Sequence, residues 1–157
     1  MKPITTCLWF DTQAEEAAAF YVSVFHDAKL GPVTRYTEAG PGPAGSAMTA
    51  SWRIGDMGFF GINGGPLFPF TEAVSFQIPC ETQEEVDYFW DALTAGGGQT
   101  GQCGWLKDRF GLSWQVTPTA LTRLLSESDA ETARRVTEVM LGMEKLVIAD
   151  LEAAAAG

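Results

Sequence analysis

Apolar and polar positions along the chain fall into two similar successions. Thr5-Thr6-Cys7-Leu8-Trp9-Phe10 and Val74-Ser75-Phe76-Gln77-Ile78 are short and rich in β-branched and aromatic residues, and each predicts a strand. Each is followed by a threonine with a glutamate three positions later, Thr12 with Glu15 and Thr82 with Glu85, the pattern of a helix-opening capping box. Ala17, Phe20, Tyr21 and Val24 then recur at helical spacing, as do Val86, Phe89, Trp90 and Leu93, so each stripe predicts an amphipathic helix. Gly96-Gly97-Gly98 stops the second helix, and the first ends near His26-Asp27. Strands are expected over Lys29 to Thr37, Met48 to Ile54, Met57 to Asn63, Cys103 to Lys107 and Leu112 to Thr117. Gly55-Asp56 and Asp108-Arg109-Phe110-Gly111 read as the hairpin turns between them.

The two successions form an internal repeat of β-α-β-β-β units at an offset of about 70 positions. Trp52 and Gly58 in the first answer Trp105 and Gly111 in the second, which predicts a shared packing role for the two tryptophans. The first unit is the longer, and Ala39-Gly40-Pro41-Gly42-Pro43-Ala44-Gly45 reads as its excursion or mobile loop. Residues 1–118 are therefore expected to pair two units, roughly 1–66 and 72–118, and residues 119–157 to form a helical extension. In that extension Leu121, Leu124 and Leu125 predict one helix and Ser128 or Asp129 caps another. Val136, Met140, Met143, Val147 and Leu151 continue at helical spacing past Gly142, which marks a bend costing about 1 kcal/mol relative to alanine. Ala153 to Gly157 are expected to fray.

Composition narrows the function classes. The chain has 157 residues, 20 acidic and 10 basic, a formal net charge of -10 and a pI near 4.4, so its field repels phosphate backbones and nucleic acid is excluded as a partner. No long apolar run predicts a membrane span, no secretory leader is legible at Met1-Lys2-Pro3-Ile4, and no membrane partner is expected. Three cysteines, Cys7, Cys80 and Cys103, lack zinc-type spacing and fit reduced thiols in a cytoplasm.

Leu8-Trp9-Phe10-Asp11 with Ala14-Glu15-Glu16-Ala17 and Phe20-Tyr21, and the stretch from Cys103-Gly104-Trp105 through Gly111-Leu112-Ser113-Trp114-Gln115-Val116, carry a family likeness. On these residues, on the paired units and on a similar C-terminal tail, the chain resembles the PhnB-like branch of the vicinal oxygen chelate superfamily. That superfamily includes glyoxalase I, extradiol dioxygenases, fosfomycin resistance proteins and bleomycin-binding proteins. The resemblance implies an α+β glyoxalase-like fold, in which mixed curved sheets form a cup, and a homodimer. It also implies metal ligands, His or Glu, on the first and last strands of each unit. Carried over one at a time, those positions fall on Thr5 and Ser75, with Ala73 or Gln77 if the register slips, and on Ile62 and Gln115. None supplies a histidine or a carboxylate, so no metal and no cofactor are expected. The sole histidine, His26, lies at a helix end, off those strands.

Strand alternation puts Thr5, Cys7 and Trp9 on one face, Ser75 with Gln77 on another, and Ser113, Gln115 and Thr117 on a third. With Phe60, the candidate ligand-binding face is Thr5, Cys7, Trp9, Phe60, Ser75, Gln77 and Gln115. Trp90 belongs to its helix stripe, Cys103 reads as a structural thiol rather than a nucleophile activated by Lys107 and Arg109, and Cys80 as inert. The glycines of Gly61-Ile62-Asn63-Gly64-Gly65 lead into Pro66-Leu67-Phe68-Pro69-Phe70 rather than a helix, so they form no phosphate cradle. No glycine-rich strand-to-helix turn supports the ubiquinone-methyltransferase description that this branch sometimes carries. Glu15, Glu16, Glu84 and Glu85 complement helix dipoles. The expected function is a metal-free cup that binds a small organic molecule, with the chain's acidity favouring a cationic one; no catalytic residue is assigned. Two alternatives stay open. One is a superfamily enzyme of lyase, isomerase, dioxygenase or transferase type that uses Gln115, Cys7, Cys103 or an atypical metal set. The other is a structural or regulatory homodimer with a vestigial pocket.

Overall fold

The computed structural model describes residues 3–157, which divide into two compact units, one ending at Phe70 and one running from Thr71 to Gly157. The first contains β1 (Thr6–Phe10), α1 (Ala14–Val24), β2 (Ala28–Arg35), β3 (Ala47–Ile54) and β4 (Met57–Asn63). Its sheet has the order β1-β4-β3-β2, with β1 parallel to β4 and the other pairs antiparallel. The second repeats the plan with β5 (Ser75–Cys80), α2 (Gln83–Thr94), β6 (Gln99–Thr100), β7 (Trp105–Lys107) and β8 (Ser113–Pro118). Its sheet order is β5-β8-β7-β6, again with one parallel pair, β5 with β8. The class is α+β, with two open mixed sheets, followed by α3 (Thr119–Glu127), α4 (Ala130–Leu141) and α5 (Ile148–Ala156).

Each sheet buries the face that its helix covers. In the first unit Ala14, Ala17, Ala18 and Tyr21 of α1 pack on Leu8, Phe10, Trp52 and Phe59. Trp52, 2% exposed, stacks on Tyr21 and Phe59 at centroid distances of 5.5 and 5.4 Å. The three alanines let the helix lie close. A Cβ at Gly61 would stand 3.0 Å from that of Ala14 and 3.1 Å from the Trp52 ring, so this strand position needs glycine. Phe20, expected in the buried stripe, is half-exposed because Ala18 takes the inner place. In the second unit Val86, Trp90 and Leu93 of α2 pack on the side of the sheet that carries Leu106, Trp114 and Val116.

The two helix starts differ. Thr82 caps α2 as expected, its hydroxyl accepting from the Glu85 N–H, while the Glu85 carboxylate accepts from the Glu81 N–H at 2.6 Å. At α1 the expected box does not form: the N-cap is Gln13, and no cap side chain bonds the first turn. Instead buried Asn63 on β4 accepts from the Ala14 N–H at 2.8 Å and donates to the Ala47 carbonyl at 3.0 Å. A long-range amide therefore does what the local threonine was expected to do.

The Gly40 loop is an excursion folded against Tyr36. Gly40 and Gly42 lie flat on the Tyr36 ring, where a Cβ would clash at 2.8 and 2.4 Å, and the Tyr36 hydroxyl donates to the Asn63 carbonyl at 2.6 Å. The C-terminal stripe also departs from expectation. The helix stops at Leu141, and the irregular segment after Gly142 bonds to the loop before β7: Cys103 and Gly104 N–H groups donate to the Met143 and Glu144 carbonyls at 2.8 and 2.7 Å. This buries Leu146 in a cluster with Leu121, Leu124, Val136 and Leu151. The end of the chain does not fray at Ala153, because Arg135 donates to the Ala154 and Ala155 carbonyls at 2.9 Å each and α5 runs on to Ala156.

The caps separate by mutation. Asn63→Ala is expected to lower unfolding stability by about 1–3 kcal/mol, Thr82→Ala by about 1 kcal/mol, and Thr12→Ala by less than about 0.5 kcal/mol. Urea denaturation of the three variants checks the order, and a Thr12 cost above that of Asn63 contradicts it.

Candidate functional site

In the first unit the sheet face opposite α1 carries Thr5, Cys7 and Trp9, with Phe60 and Ile62 of β4, Ser51 and Arg53 of β3 and Lys29 of β2. The register fixes this grouping: Cys7 lies opposite Phe60, Trp9 opposite Ile62, Phe60 opposite Ser51, and Arg53 opposite Lys29. An open hollow of about 920 Å³ occupies this face, and Thr5, Cys7, Ser51, Phe60, Lys29 and Arg53 are among its walls. Ile4 and Leu30, 89% and 58% exposed, add apolar surface.

Trp9 shares the face but not the hollow. Its indole N–H donates to the Gly65 carbonyl at 2.8 Å, its ring meets Phe68 edge-on at 5.0 Å, and Gly64 lies so close that a Cβ would stand 2.1 Å from it. Gly64 needs to be glycine for this close approach. The glycine-rich segment is thus a strap over Trp9, and no helix follows it.

In the second unit the face away from α2 carries Ser75 and Gln77 of β5, Gln115 and Thr117 of β8, and Trp105 and Lys107 of β7. Gln115 Nε2 donates to Ser75 Oγ at 2.8 Å, and Gln77 Nε2 donates to Thr117 Oγ1 at 3.2 Å. The face is neutral and hydrogen-bonded across the parallel ladder. A recess of about 160 Å³ at its edge contains Lys107, paired with Glu72 at 2.6 Å; that ammonium holds the Glu72 carboxyl below its usual range.

The strand registers revise the repeat. Gln115 lies opposite Gln77 as Phe60 lies opposite Cys7, so the first-unit counterpart of Gln115 is Phe60 rather than Ile62. Trp105 lies opposite Gln115 and therefore matches Ser51, while Trp52 matches Leu106. The two tryptophans are thus on opposite faces, one in the core and one on the open side. The second hairpin turn is longer than the first, which slid the alignment of Gly58 on Gly111. Phe60 and Ile62 share a face, so the chemistry is the same under either register: hydroxyl, ring, alkyl and carboxamide.

Such a donor set does not fit a divalent ion, whose hydration must be replaced by anionic or imidazole ligands. Among the described residues no three His, Cys, Asp or Glu side chains are grouped to hold a metal. His26 is exposed in the turn after α1. Of the thiols, Cys7 is exposed at the hollow, and Cys80 is buried, its thiol pushed up to about 12 by burial and then by Glu85 and Glu81. Cys103 sits at φ +58° with Sγ 3.6 Å from the Met140 carbonyl, in the turn that receives the C-terminal segment rather than in the strand itself.

Sequence reasoning missed Asp108 as more than a turn residue. Its side chain, 2% exposed as a residue, accepts from the Phe110 and Leu112 N–H groups at 2.9 and 3.1 Å and from Trp114 Nε1 at 2.8 Å. It thereby fixes the hairpin that places Gln115 and Lys107. The available signal was an aspartate opening an Asp-x-x-Gly turn just ahead of a strand tryptophan. Asp108→Ala leaves three donors without a partner and is expected to cost about 2–4 kcal/mol, with Asp108→Asn recovering part of the loss. Thermal unfolding with Trp114 fluorescence checks it, and an alanine variant within about 0.5 kcal/mol of the parent contradicts it.

Residues 2–117 match the family described as 3-demethylubiquinone-9 3-methyltransferase, leaving α3 to α5 outside the matched stretch. A PhnB protein from Bacillus cereus is 35% identical, with a TM-score of 0.67 over 74% of this chain and 99% of its own. A protein from Pseudomonas aeruginosa is 21% identical, with a TM-score of 0.61 over 75% of this chain and 98% of its own. The fosfomycin resistance protein FosX from Mesorhizobium loti shares the fold at 13% identity, with a TM-score of 0.51 over 72% and 87% of the two chains. No curated protein matches the chain. The two β-α-β-β-β units, the match to this family and the likeness to the Bacillus cereus protein agree: the chain belongs to the PhnB-like branch of the vicinal oxygen chelate superfamily.

Proposed function

We propose that this protein binds a small organic molecule on the open face of its first sheet and does so without a resident metal. The observation that carries the reading is the hollow of about 920 Å³, which mixes apolar surface from Ile4, Leu30 and Phe60 with hydroxyl and thiol groups from Thr5, Ser51 and Cys7. Concave, mainly apolar sites with a few polar groups suit small ligands. Ser75, Gln77 and Gln115 on the second sheet offer a neutral hydrogen-bonding face for the same role. Trp9 supports the hollow indirectly, by holding the strap that closes one end of its strand face.

Binding is favoured over turnover by the donor chemistry of these faces. No acid-base pair of carboxylate and imidazole stands on either, and the carboxamide N–H groups already have hydroxyl partners. The methyl transfer in the family's description finds no support in this chain: the glycine-rich segment after β4 straps Trp9 and is not followed by a helix whose N-terminus could hold a methyl donor. The reading includes a homodimer, as the superfamily implies, and a cytoplasmic setting, to which the three unpaired cysteines are suited. No helix among the described residues is long and apolar enough to cross a membrane.

Elemental analysis and native mass spectrometry of untagged protein test the proposal together. The expected result is less than one divalent ion per ten chains after desalting and uptake of small aromatic probes that chelator does not change. A stoichiometric ion whose removal abolishes uptake or activity would overturn it.

A further inference from the structure

The charge of the hollow is opposite to that of the chain. Besides Arg53, six of the described basic side chains have carboxylate partners within the fold: Arg35 with Glu15, Lys107 with Glu72, Arg123 with Glu152, Arg134 and Arg135 with Glu131, and Lys145 with Asp87. Lys29 differs. Among the described residues it is the lysine or arginine with no ion pair, hydrogen bond or ring contact, in a chain with twice as many acids as bases. Arg53 lies directly opposite it across the β2–β3 ladder, and both line the hollow. Arg53 reaches one carboxylate, that of Asp56, at 3.4 Å, on a fully exposed side chain in the next turn. Among the described lining residues Asp56 is the sole acid, against two cations.

Like charges placed directly opposite on neighbouring strands repel, so this arrangement costs stability unless an anion lies between them. The overall charge of -10 does not cancel the local effect. At physiological salt the Debye length is about 8 Å, so the diffuse acidic surface is screened at distances where a bound molecule touches Lys29 and Arg53 directly.

We infer that the hollow of the first unit selects small organic anions, the acidic group resting between Lys29 and Arg53 and the apolar body on Phe60. The inference rests on the reading of the hollow as a binding site and adds the charge of its ligand. It runs against the cationic ligand that bulk acidity favours.

The test compares 1-anilinonaphthalene-8-sulfonate with N-phenyl-1-naphthylamine, which has the same aromatic frame without the charge, by fluorescence titration of the full-length protein at physiological salt. The wild type is expected to bind the sulfonate at least about tenfold more tightly, the equivalent of one well-placed charge contact. In the Lys29→Gln/Arg53→Gln variant the ratio of the two affinities is expected to fall to within about twofold of one, and Lys29→Glu/Arg53→Glu to invert it. Equal affinities in the wild type, or a ratio unchanged in the variants, overturn anion selection. The hollow reading survives that result if Cys7→Trp, which fills the cavity, abolishes binding of the neutral probe. Binding of neither probe overturns both. Sulfonate binding that strengthens on dilution overturns the inference too, because the cations are then engaged by acidic groups of a second copy.

Discussion

The alternation of side chains across each strand is the constraint on which the rest of this structure depends. A strand offers successive residues to opposite faces, and each four-stranded sheet here has one helix to cover one face. Leu8, Phe10, Trp52 and Phe59 therefore enter the core behind α1, and their neighbours Cys7, Ser51 and Phe60 are turned to the uncovered side. The buried ring stack at Trp52 and the open hollow are two consequences of one pattern. A shift by one residue in β1 would exchange them, placing a thiol and a threonine against the helix and two large apolar side chains in the hollow.

That pattern was legible in the sequence because it is local. Seven of the eight strands, the two helices that cover the sheets and the hairpin turns follow from period and composition, whereas the two-residue β6 is too short to leave a period. What the sequence concealed depends on residues far apart in the chain. Thr12 and Glu15 form a plausible capping pair, yet Asn63 reaches the first turn of α1 from β4. Trp52 and Trp105 align by eye, yet a longer turn held by Asp108 moves the register and puts them on opposite faces. The helical stripe through Gly142 is interrupted because residues 143 and 144 find backbone partners at Cys103 and Gly104. The charge of the hollow was hidden for the same reason: Lys29 and Arg53 become neighbours only through strand pairing.

The relation to the superfamily is one of shared framework. At the positions where the resemblance implies histidine or glutamate, this chain has Thr5, Ser75 and Gln115, with Ile62 or Phe60 as the fourth according to the register taken. Hydroxyls and carboxamides orient a ligand through hydrogen bonds but do not replace the water around a doubly charged ion. Gln115 with Ser75 and Gln77 with Thr117 also bond to each other, which fixes the second face in a neutral, preorganised state. Buried Asp108 holds the turn between β7 and β8, and buried Asn63 holds the start of α1.

The central claim, that the open face of the first sheet takes up a small molecule unaided by metal, is tested most directly by amide chemical-shift mapping. Isotopically labelled protein, stripped with chelator, is titrated with 1-anilinonaphthalene-8-sulfonate. The account predicts saturable shifts centred on Thr5, Cys7, Lys29, Ser51, Arg53 and Phe60. Shifts confined to the helix-covered side or to α3–α5, or shifts that appear only after a divalent ion is restored, would contradict it.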